Sequence, residues 1–428
     1  MPFCAFLYKE DEHAADPAYV SRWNKSIKGD STHMFDRVLN VYERLSMKED
    51  VEKLNELLLY VHLYPHISTK RLAMALQLPK PLTIAMKREF IQAGFIIQER
   101  GVVLSAEGRH YAEKFLGFAG VNNAAYRQLL ESENGNCPVL HQCMQKYAEV
   151  FAGRPQADVT LDQAKATMMT SFKRAWLCLK HHTLLGKQIL CIGDDDLVSV
   201  AIGLLHNELA GQKGSFAPTV AVVEKDERII RYIRSLTEKH SLQIRCIEHD
   251  LREPLPTLVK GKYDVLFTDP PYTYEGMCLF LSRGLEGLKT QSGLPIFLSF
   301  GSKPAEETFR IQQKWNEVNL VIERMIPGFN QYEGAQSLNS QGQMIILRTM
   351  AGFHPDVPGY YAGALYTMDG RKHQDKTYIC LHCGDSIKLT LESGCQTIEQ
   401  LKEAGCPSCG HKYFTQMQKR RDAHERAE

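Results

Sequence analysis

The stretch that decides the fold is residues 189–197, which reads ILCIGDDDL. Four apolar residues lead to Gly193, and three consecutive aspartates follow, Asp194, Asp195 and Asp196. This order predicts a buried strand, a tight turn and then a helix, the arrangement with which α/β sheets hold nucleotide-like ligands at the carboxyl ends of their strands. Such turns are usually glycine-rich because the backbone approaches phosphate or carboxylate. An acidic turn should instead repel anions and attract cations.

Composition places the chain among ordinary soluble proteins. It has 428 residues, 44% hydrophobic and 24% charged, which indicates two to four domains. The formal net charge of +1 creates no overall field that favours nucleic acid or a membrane surface. The sequence contains no apolar run of the ~18 residues that a membrane-spanning helix needs. Its first residues lack the apolar core of a signal peptide, and its cysteines are mostly scattered singly, so we expect a cytoplasmic protein.

Strands and helices alternate after residue 187. Short apolar runs predict strands at 188–192, 219–223, 243–248, 263–268, 295–299 and 344–348. Helical segments lie between them. This alternation predicts a mainly parallel, doubly wound α/β sheet.

Each of the first four predicted strands ends in an acid. Glu224 ends the second strand, where an acid can hold ribose hydroxyls, and Asp250 follows the third, where a carboxylate suits an adenine amino group. Asp269 follows the fourth. A single acid at a strand end is usually a helix cap, but four in succession favour a ligand site. The layout resembles a Rossmann-like sheet of the kind that binds S-adenosylmethionine. In such a sheet Gly193 would contact this molecule, the donor of the transferred group.

The fourth strand runs into the sequence DPPY, residues 269–272. Two prolines fix φ and remove two backbone donors, which leaves a rigid turn that presents Asp269 and the Tyr272 ring. The turn resembles that of amine-modifying methyltransferases, where it holds the nitrogen that is alkylated. We therefore expect Tyr272 to contact the substrate.

The acidic turn discriminates between donors. S-adenosylmethionine carries a carboxylate near this turn, and two like charges ~4 Å apart cost roughly 4 kcal/mol at an effective dielectric of ~20. Decarboxylated S-adenosylmethionine lacks that group and ends in an ammonium. A polyamine acceptor is also cationic, so both suit the predicted pocket.

Five motifs, taken in order, resemble those of branched-chain polyamine synthases. They are GDDDL at 193–197, DER at 226–228, HDLR at 249–252, TDPPYT at 268–273 and FNQY at 329–332. The resemblance covers roughly residues 50–350. It implies an aminopropyltransferase that converts spermidine to N(4)-branched products, uses decarboxylated S-adenosylmethionine and forms a dimer. Glu224 and Lys225 depart from the family, which usually has an aspartate and an apolar residue there.

The resemblance places catalysis on the acidic run. A secondary amine must lose its proton before it attacks the carbon beside the sulfonium, and a carboxylate can accept that proton. We expect Asp196 to be this base, Asp269 to orient the amine, and Asp194 and Asp195 to bind the other ammonium groups. From local pattern Asp162 is equally a helix cap or a substrate contact. An Asp-Gln pair like the family's makes it the alternative base.

The remaining sequence divides into further units. We expect an N-terminal extension at 1–49, a winged-helix-like domain at 50–116, a linker at 117–160, the catalytic domain at 161–350, a second linker at 351–376, and a zinc-ribbon-like module with a charged tail at 377–428. Winged helices often bind DNA, but the third helix offers only Lys80, Lys87 and Arg88 among apolar residues. A packing or dimerisation role is favoured over nucleic acid.

The C-terminal module contains two Cys-x-x-Cys pairs separated by 22 residues, Cys380 with Cys383 and Cys406 with Cys409. Four thiolates in this spacing predict a closed, structural zinc site. Cys395 is a further potential ligand, but we expect it not to bind the metal.

Two alternative functions stay open. A nucleic-acid amino-methyltransferase that uses S-adenosylmethionine would also fit the DPPY turn, a winged helix and a zinc ribbon. A non-catalytic regulator that senses polyamines would fit the acidic pocket.

Overall fold

The structure is a computed structural model that describes residues 30–45, 47, 51–210, 216–333, 341–366, 376–389 and 398–417. Most of the predicted N-terminal extension, the charged tail beyond residue 417 and Cys395 lie outside these residues. Within the described ranges, each helix is too short or too polar to span a membrane.

The N-terminal part contains helices and one hairpin around a core of their own. The elements are α1 (Asp30–Leu45), α2 (Glu52–Leu63), α3 (Thr69–Leu76), α4 (Lys80–Gln92), β1 (Ile96–Glu99), β2 (Gly101–Leu104) and α5 (Ala106–Lys114). The strands β1 and β2 pair antiparallel. Phe35 and Val38 of α1 are buried with Leu58 and Phe90, so this core begins before the expected boundary at residue 50.

Residues 117–160 differ from the expected linker. They form α6 (Asn123–Glu131), α7 (Pro138–Lys146) and α8 (Ala148–Ala152). Asn122 caps α6 through its side chain, and Pro138 occupies the first turn of α7, so residues typical of loops here start helices. Leu129 and Phe151 are buried in the same core as the sheet. The next helix, α9 (Met168–Lys180), begins after Thr167, which caps it.

A seven-stranded sheet forms the centre of the molecule. Its strands are β3 (Gln188–Ile192), β4 (Thr219–Glu224), β5 (Ile244–Glu248), β6 (Val265–Thr268), β7 (Pro295–Phe300), β8 (Leu320–Gln331) and β9 (Gln341–Thr349), and the helices between them are α10 (Val198–Leu209), α11 (Glu227–His240), α12 (Tyr274–Gly287) and α13 (Ala305–Glu317). The spatial order is β5-β4-β3-β6-β7-β9-β8. The first five are parallel, and β9 pairs antiparallel with both β7 and β8. The predicted parallel-dominated α/β sheet is therefore confirmed.

Strand β8 was not predicted from the sequence. It is an edge strand whose register shifts between Ile322 and Arg324 and again between Ile326 and Asn330. Because Pro327 and Gly328 lie in the second irregular stretch, the strand lacks regular alternation. The direction of the strand order changes at β3, which leaves a crevice between the carboxyl ends of β3 and β6.

Part of the second expected linker also packs on the core. Residues 353–366, here called the strap, carry Phe353, Val357 and Tyr361 against the apolar core that contains α12. Leu365 is buried there. The C-terminal module consists of β10 (Lys376–Cys380), β11 (Ser386–Leu389), α14 (Ile398–Ala404) and β12 (Phe414–Gln416), with strand order β11-β10-β12.

Candidate active site

The acidic turn after β3 begins with Gly193, whose φ of 71° requires the left-handed region. The Asp194 carboxylate accepts hydrogen bonds from the backbone N–H of Val198 at 2.7 Å and from the N–H and hydroxyl of Ser199. Asp194 therefore caps α10. Burial raises its pKa to about 7, although these hydrogen bonds oppose the rise. Its expected role as an ammonium ligand competes with this capping.

Asp196 is enclosed by cations. Arg174 Nη1 donates to its Oδ2 at 2.9 Å, and Nη1 of Arg154 lies 3.6 Å from its Oδ1. The backbone N–H of Ala166 donates to Oδ1 at 2.6 Å. Proton transfer to Asp196 would have to break a buried ion pair. This geometry argues against Asp196 as the base.

Arg174 links two strand ends. Besides Asp196, its guanidinium donates to Oδ2 of Asp269 at 2.8 Å and to Asn330 Oδ1 at 3.0 Å. Burial opposes its charge, but Asp269 and Asp196 outweigh this effect and hold the pKa of Arg174 above its ordinary value. The structure thus brings Asp269, predicted from the DPPY turn, beside the acidic turn.

Asp269 also belongs to a hydroxyl network. Tyr332 donates its hydroxyl to Asp269 Oδ2 at 2.9 Å, and the hydroxyls of Tyr332 and Tyr272 are 2.6 Å apart. Burial raises the pKa of Asp269 to about 6, Arg174 lowers it and Asp196 raises it further. A Cβ at Gly301 would lie 2.8 Å from the Tyr272 ring, and one at Gly342 would lie 2.7 Å from its hydroxyl. These glycines leave room for Tyr272.

Asp195 differs from its two neighbours. Its backbone carbonyl accepts from Arg154 at 3.4 Å, but no described side chain or backbone N–H donates to its carboxylate. The side chain is half-buried and lines the same pocket as Arg174 and Asp269. Burial and then the charges of Asp196, Glu224 and Asp269 raise its pKa well above the ordinary aspartate value. An unpaired carboxylate with a raised pKa is suited to accept a proton.

Glu224 connects the second strand to this turn. Its carboxylate accepts the backbone N–H of Asp194 at 3.0 Å and those of Lys225 and Asp226 at 2.8 Å each. Burial raises its pKa, although these hydrogen bonds lower it. Glu224 therefore lies at the acidic turn, beside Gly193, which is predicted to contact the donor.

Asp250 pairs with the residue that departs from the family pattern. Lys225 Nζ donates to Asp250 Oδ2 at 2.8 Å, and the Arg252 N–H donates to Oδ1 at 3.0 Å. Burial alone would raise the pKa of Asp250, but these contacts lower it.

Asp162 follows a short 3-10 turn, Val159–Leu161, and has a left-handed φ of 54°. The neighbouring Gln163 donates to Asp226 Oδ2 at 3.2 Å, which brings this segment to the start of α11.

Sequence reasoning missed both arginines of the site. Arg154 was placed in a linker, and its neighbours gave no signal. Arg174 did carry one, because it lies three residues after Ser171 and four before Cys178, both of which are buried on the same face of α9. A charged residue on the buried face of a helix requires a partner.

The four cysteines of the C-terminal module lie together, with all Sγ atoms within 4.8 Å of one another. The Cys380–Cys409 and Cys383–Cys406 Sγ atoms are each 3.6 Å apart. Thiolates ~2.3 Å from a tetrahedral zinc ion would be ~3.8 Å from one another. The arrangement therefore fits a tetrahedral metal ion.

Known proteins resemble this chain over most of its length. An uncharacterized protein of Methanocaldococcus jannaschii is 32% identical over 390 residues, which are 89% of this chain and 92% of that protein. An N(4)-bis(aminopropyl)spermidine synthase of Thermococcus kodakarensis is 27% identical over 260 residues, 59% of this chain and 70% of that enzyme.

A crystal structure of the branched-chain polyamine synthase from Thermus thermophilus, in complex with N4-aminopropylspermidine and 5'-methylthioadenosine, has 20% sequence identity and a TM-score of 0.47. The match covers 77% of this chain and 97% of that one.

The acidic site on an α/β sheet and the relatives named N(4)-bis(aminopropyl)spermidine synthase define the class of protein, an aminopropyltransferase. Residues 142–377, more than half of the chain, match the family model described as the branched-chain polyamine synthase A C-terminal domain. The chain belongs to the branched-chain polyamine synthase family.

Proposed function

We propose that the protein transfers an aminopropyl group from decarboxylated S-adenosylmethionine to a secondary amine of a polyamine such as spermidine. The products are a branched polyamine and methylthioadenosine. The observation that carries the proposal is the unpaired Asp195 carboxylate, surrounded by acids that have partners, at the donor end of the sheet. The names of the curated relatives support the same reaction.

Asp195 replaces Asp196 as the base in this proposal. The amine nitrogen transfers its proton to Asp195 and uses its lone pair to bond the carbon beside the sulfonium. The carbon–sulfur bond breaks, and its electron pair goes to sulfur, which leaves as a neutral thioether. Asp269, held by Arg174 and Tyr332, orients the amine. Asp162 stays a proposed acceptor contact.

Charge in the site supports two cationic substrates. With every group ionised, the five carboxylates of Asp194, Asp195, Asp196, Glu224 and Asp269 and the two guanidiniums of Arg154 and Arg174 sum to a formal charge of −3. This excess attracts the donor ammonium and the polyamine and opposes a donor carboxylate. Gly193 and Glu224 would hold the donor, with Glu224 at the ribose and Asp250 at the adenine.

The other units support further proposals. Helices α2, α3 and α4 with the β1–β2 hairpin would be a winged helix, and the four clustered cysteines would bind one structural zinc ion. The family resemblance supports a homodimer, and the unpaired core cysteines support a cytoplasmic location.

One experiment tests the reaction. The purified protein is incubated with spermidine and either donor, and methylthioadenosine and polyamine masses are followed. We expect methylthioadenosine and a polyamine heavier by aminopropyl units only with the decarboxylated donor. Activity with S-adenosylmethionine alone, or only with nucleic acid, would favour the amino-methyltransferase. Spermidine binding without turnover would favour the regulator.

A further inference from the structure

The strap is fixed to the loop that follows β5 by a fully buried arginine. Arg283 donates to the carbonyl oxygens of Val357 at 2.8 Å and Gly359 at 2.6 Å in the strap, and to that of Leu251 at 2.9 Å. The hydroxyl of Ser282 also accepts the backbone N–H of Val357 at 3.0 Å. Because this buried cation donates hydrogen bonds to carbonyl oxygens of both segments, it fixes their position relative to each other.

This anchoring places Tyr366 over the ends of β4 and β5. The strap residue Tyr361 donates its N–H to the carbonyl of Arg252 at 2.8 Å. The Tyr366 ring centre lies 5.4 Å from Arg252 Cζ and 6.0 Å from Lys225 Nζ. Lys225 in turn is paired with Asp250 at 2.8 Å. The strap thus adds an aromatic ring to the charged pair beside Glu224.

We propose that Lys225, Asp250 and Tyr366 together recognise the purine base of the donor, an inference that rests on the proposed function. The Asp250 carboxylate accepts and the Lys225 ammonium donates, side by side. The edge of adenine is complementary, since its amino group donates and its neighbouring ring nitrogen N1 accepts. Hypoxanthine presents the reverse order, a carbonyl oxygen and an N–H. The Tyr366 ring supplies a surface on which the base stacks.

The proposal gives a role to the unusual Lys225. An apolar residue at this position can only cover the base, whereas Lys225 can discriminate its edge. Loss of a hydrogen-bonding partner discriminates between two bases more strongly than loss of apolar contact.

The test measures the affinity of the full-length protein for 5'-methylthioadenosine and for 5'-methylthioinosine by calorimetry. We expect the wild type to prefer the adenine nucleoside by about tenfold or more. Lys225→Met should reduce that preference. Tyr366→Ala should weaken binding of both nucleosides by about tenfold, while Tyr366→Phe, which keeps the ring, should retain affinity. Tyr360→Ala, in the same strap and 60% exposed, is the matched control and should change neither affinity.

Each outcome decides a separate point. Unchanged affinity in Tyr366→Ala together with an unchanged preference in Lys225→Met would overturn this inference alone. Failure of the wild type to bind methylthioadenosine would overturn the proposed function and the inference with it. Lys225 is 41% exposed, so its replacement tests the base preference even where Tyr366→Ala impairs folding.

Discussion

Arg174 donates to Asp196 at 2.9 Å where both side chains are at most 3% exposed. The same guanidinium holds Asp269 at 2.8 Å. Asp195 lies within the same turn as Asp196 and has neither contact. Hydrogen bonding and charge pairing therefore distinguish the three aspartates: Asp194 caps a helix, Asp196 belongs to an ion pair, and Asp195 is the proposed base.

Replacing each of two adjacent aspartates should affect the free energy of unfolding differently. Asp196→Asn leaves the buried Arg174 with less compensating charge, so we expect a loss of about 3 kcal/mol in the free energy of unfolding. Asp195→Asn removes an unpaired, half-buried carboxylate and should leave this free energy unchanged or higher. Urea denaturation at neutral pH measures both. Equal losses would show that Asp195 has a partner in the folded protein.

Asp195→Asn should also abolish most turnover. Loss of a positioned general base lowers rates by about 10²- to 10⁴-fold. The isosteric amide should leave methylthioadenosine affinity within a few-fold of the wild type, because the base acts only on the amine. Asp36→Asn, an exposed change on α1, is the matched control. Full turnover in Asp195→Asn would remove this residue from the proposed mechanism.

The stability gap between Asp195→Asn and the wild type should widen as pH rises. Burial and neighbouring acids raise the folded-state pKa of Asp195 above the unfolded value of about 4. Over that interval the folded protein keeps a proton that the unfolded chain releases, so wild-type stability falls with rising pH, whereas asparagine does not titrate. Burial lowers the pKa of His181 to about 4 and of His182 to about 3.

These histidines change the stability of both proteins alike and cancel in the difference. Unfolding free energies of both proteins at about pH 5, 6, 7 and 8 provide the measurement. A gap that stays constant would contradict the raised pKa of Asp195.

The sheet was predictable because its signals are local. The apolar run before Gly193 and the acids after each parallel strand are short patterns, and the strand ends meet in space by topology alone. The six predicted strands are present within three residues of their expected bounds. The irregular edge strand β8 lacks such a pattern and was missed.

The roles within the acidic turn were not predictable. Arg174 lies 22 residues from Asp196, and Arg154 is farther still, so no local pattern shows that Asp196 is paired. The turn geometry sets the directions of these side chains, so that Asp194 accepts hydrogen bonds from the start of α10 whereas Asp195 does not. The helices of residues 117–160 are short and depend on packing against the sheet, which single-sequence patterns do not contain.

Removal of metal should affect the C-terminal module selectively. Zinc content is expected to be one ion per chain, and Cys383→Ser should lower it because a closed site needs all four thiolates. The module has only a small apolar core around Tyr378, Leu389 and Leu401, so chelation should make it sensitive to proteolysis. Cys278→Ser, in the catalytic part, is the control for thiol loss. Undiminished zinc in Cys383→Ser would contradict the assignment.

Binding of a polyamine should release protons from the site. At neutral pH the site retains protons, since burial raises the pKa of Asp194 to about 7 and of Asp269 to about 6, and raises that of Asp195 strongly. A bound cation favours the ionised carboxylates and lowers these pKa values. Calorimetry of spermidine binding near pH 7, in buffers of different ionisation enthalpy, measures the protons released.

The wild type should release protons, and Asp195→Asn should release fewer, because one titrating group is gone. Methylthioadenosine is the matched control ligand, since its neutral thioether places no charge beside the acids. Spermidine binding with no dependence on the buffer would mean that the acidic turn is fully ionised before the substrate arrives. In that case the raised pKa values could not be the reason that Asp195 accepts a proton from the amine.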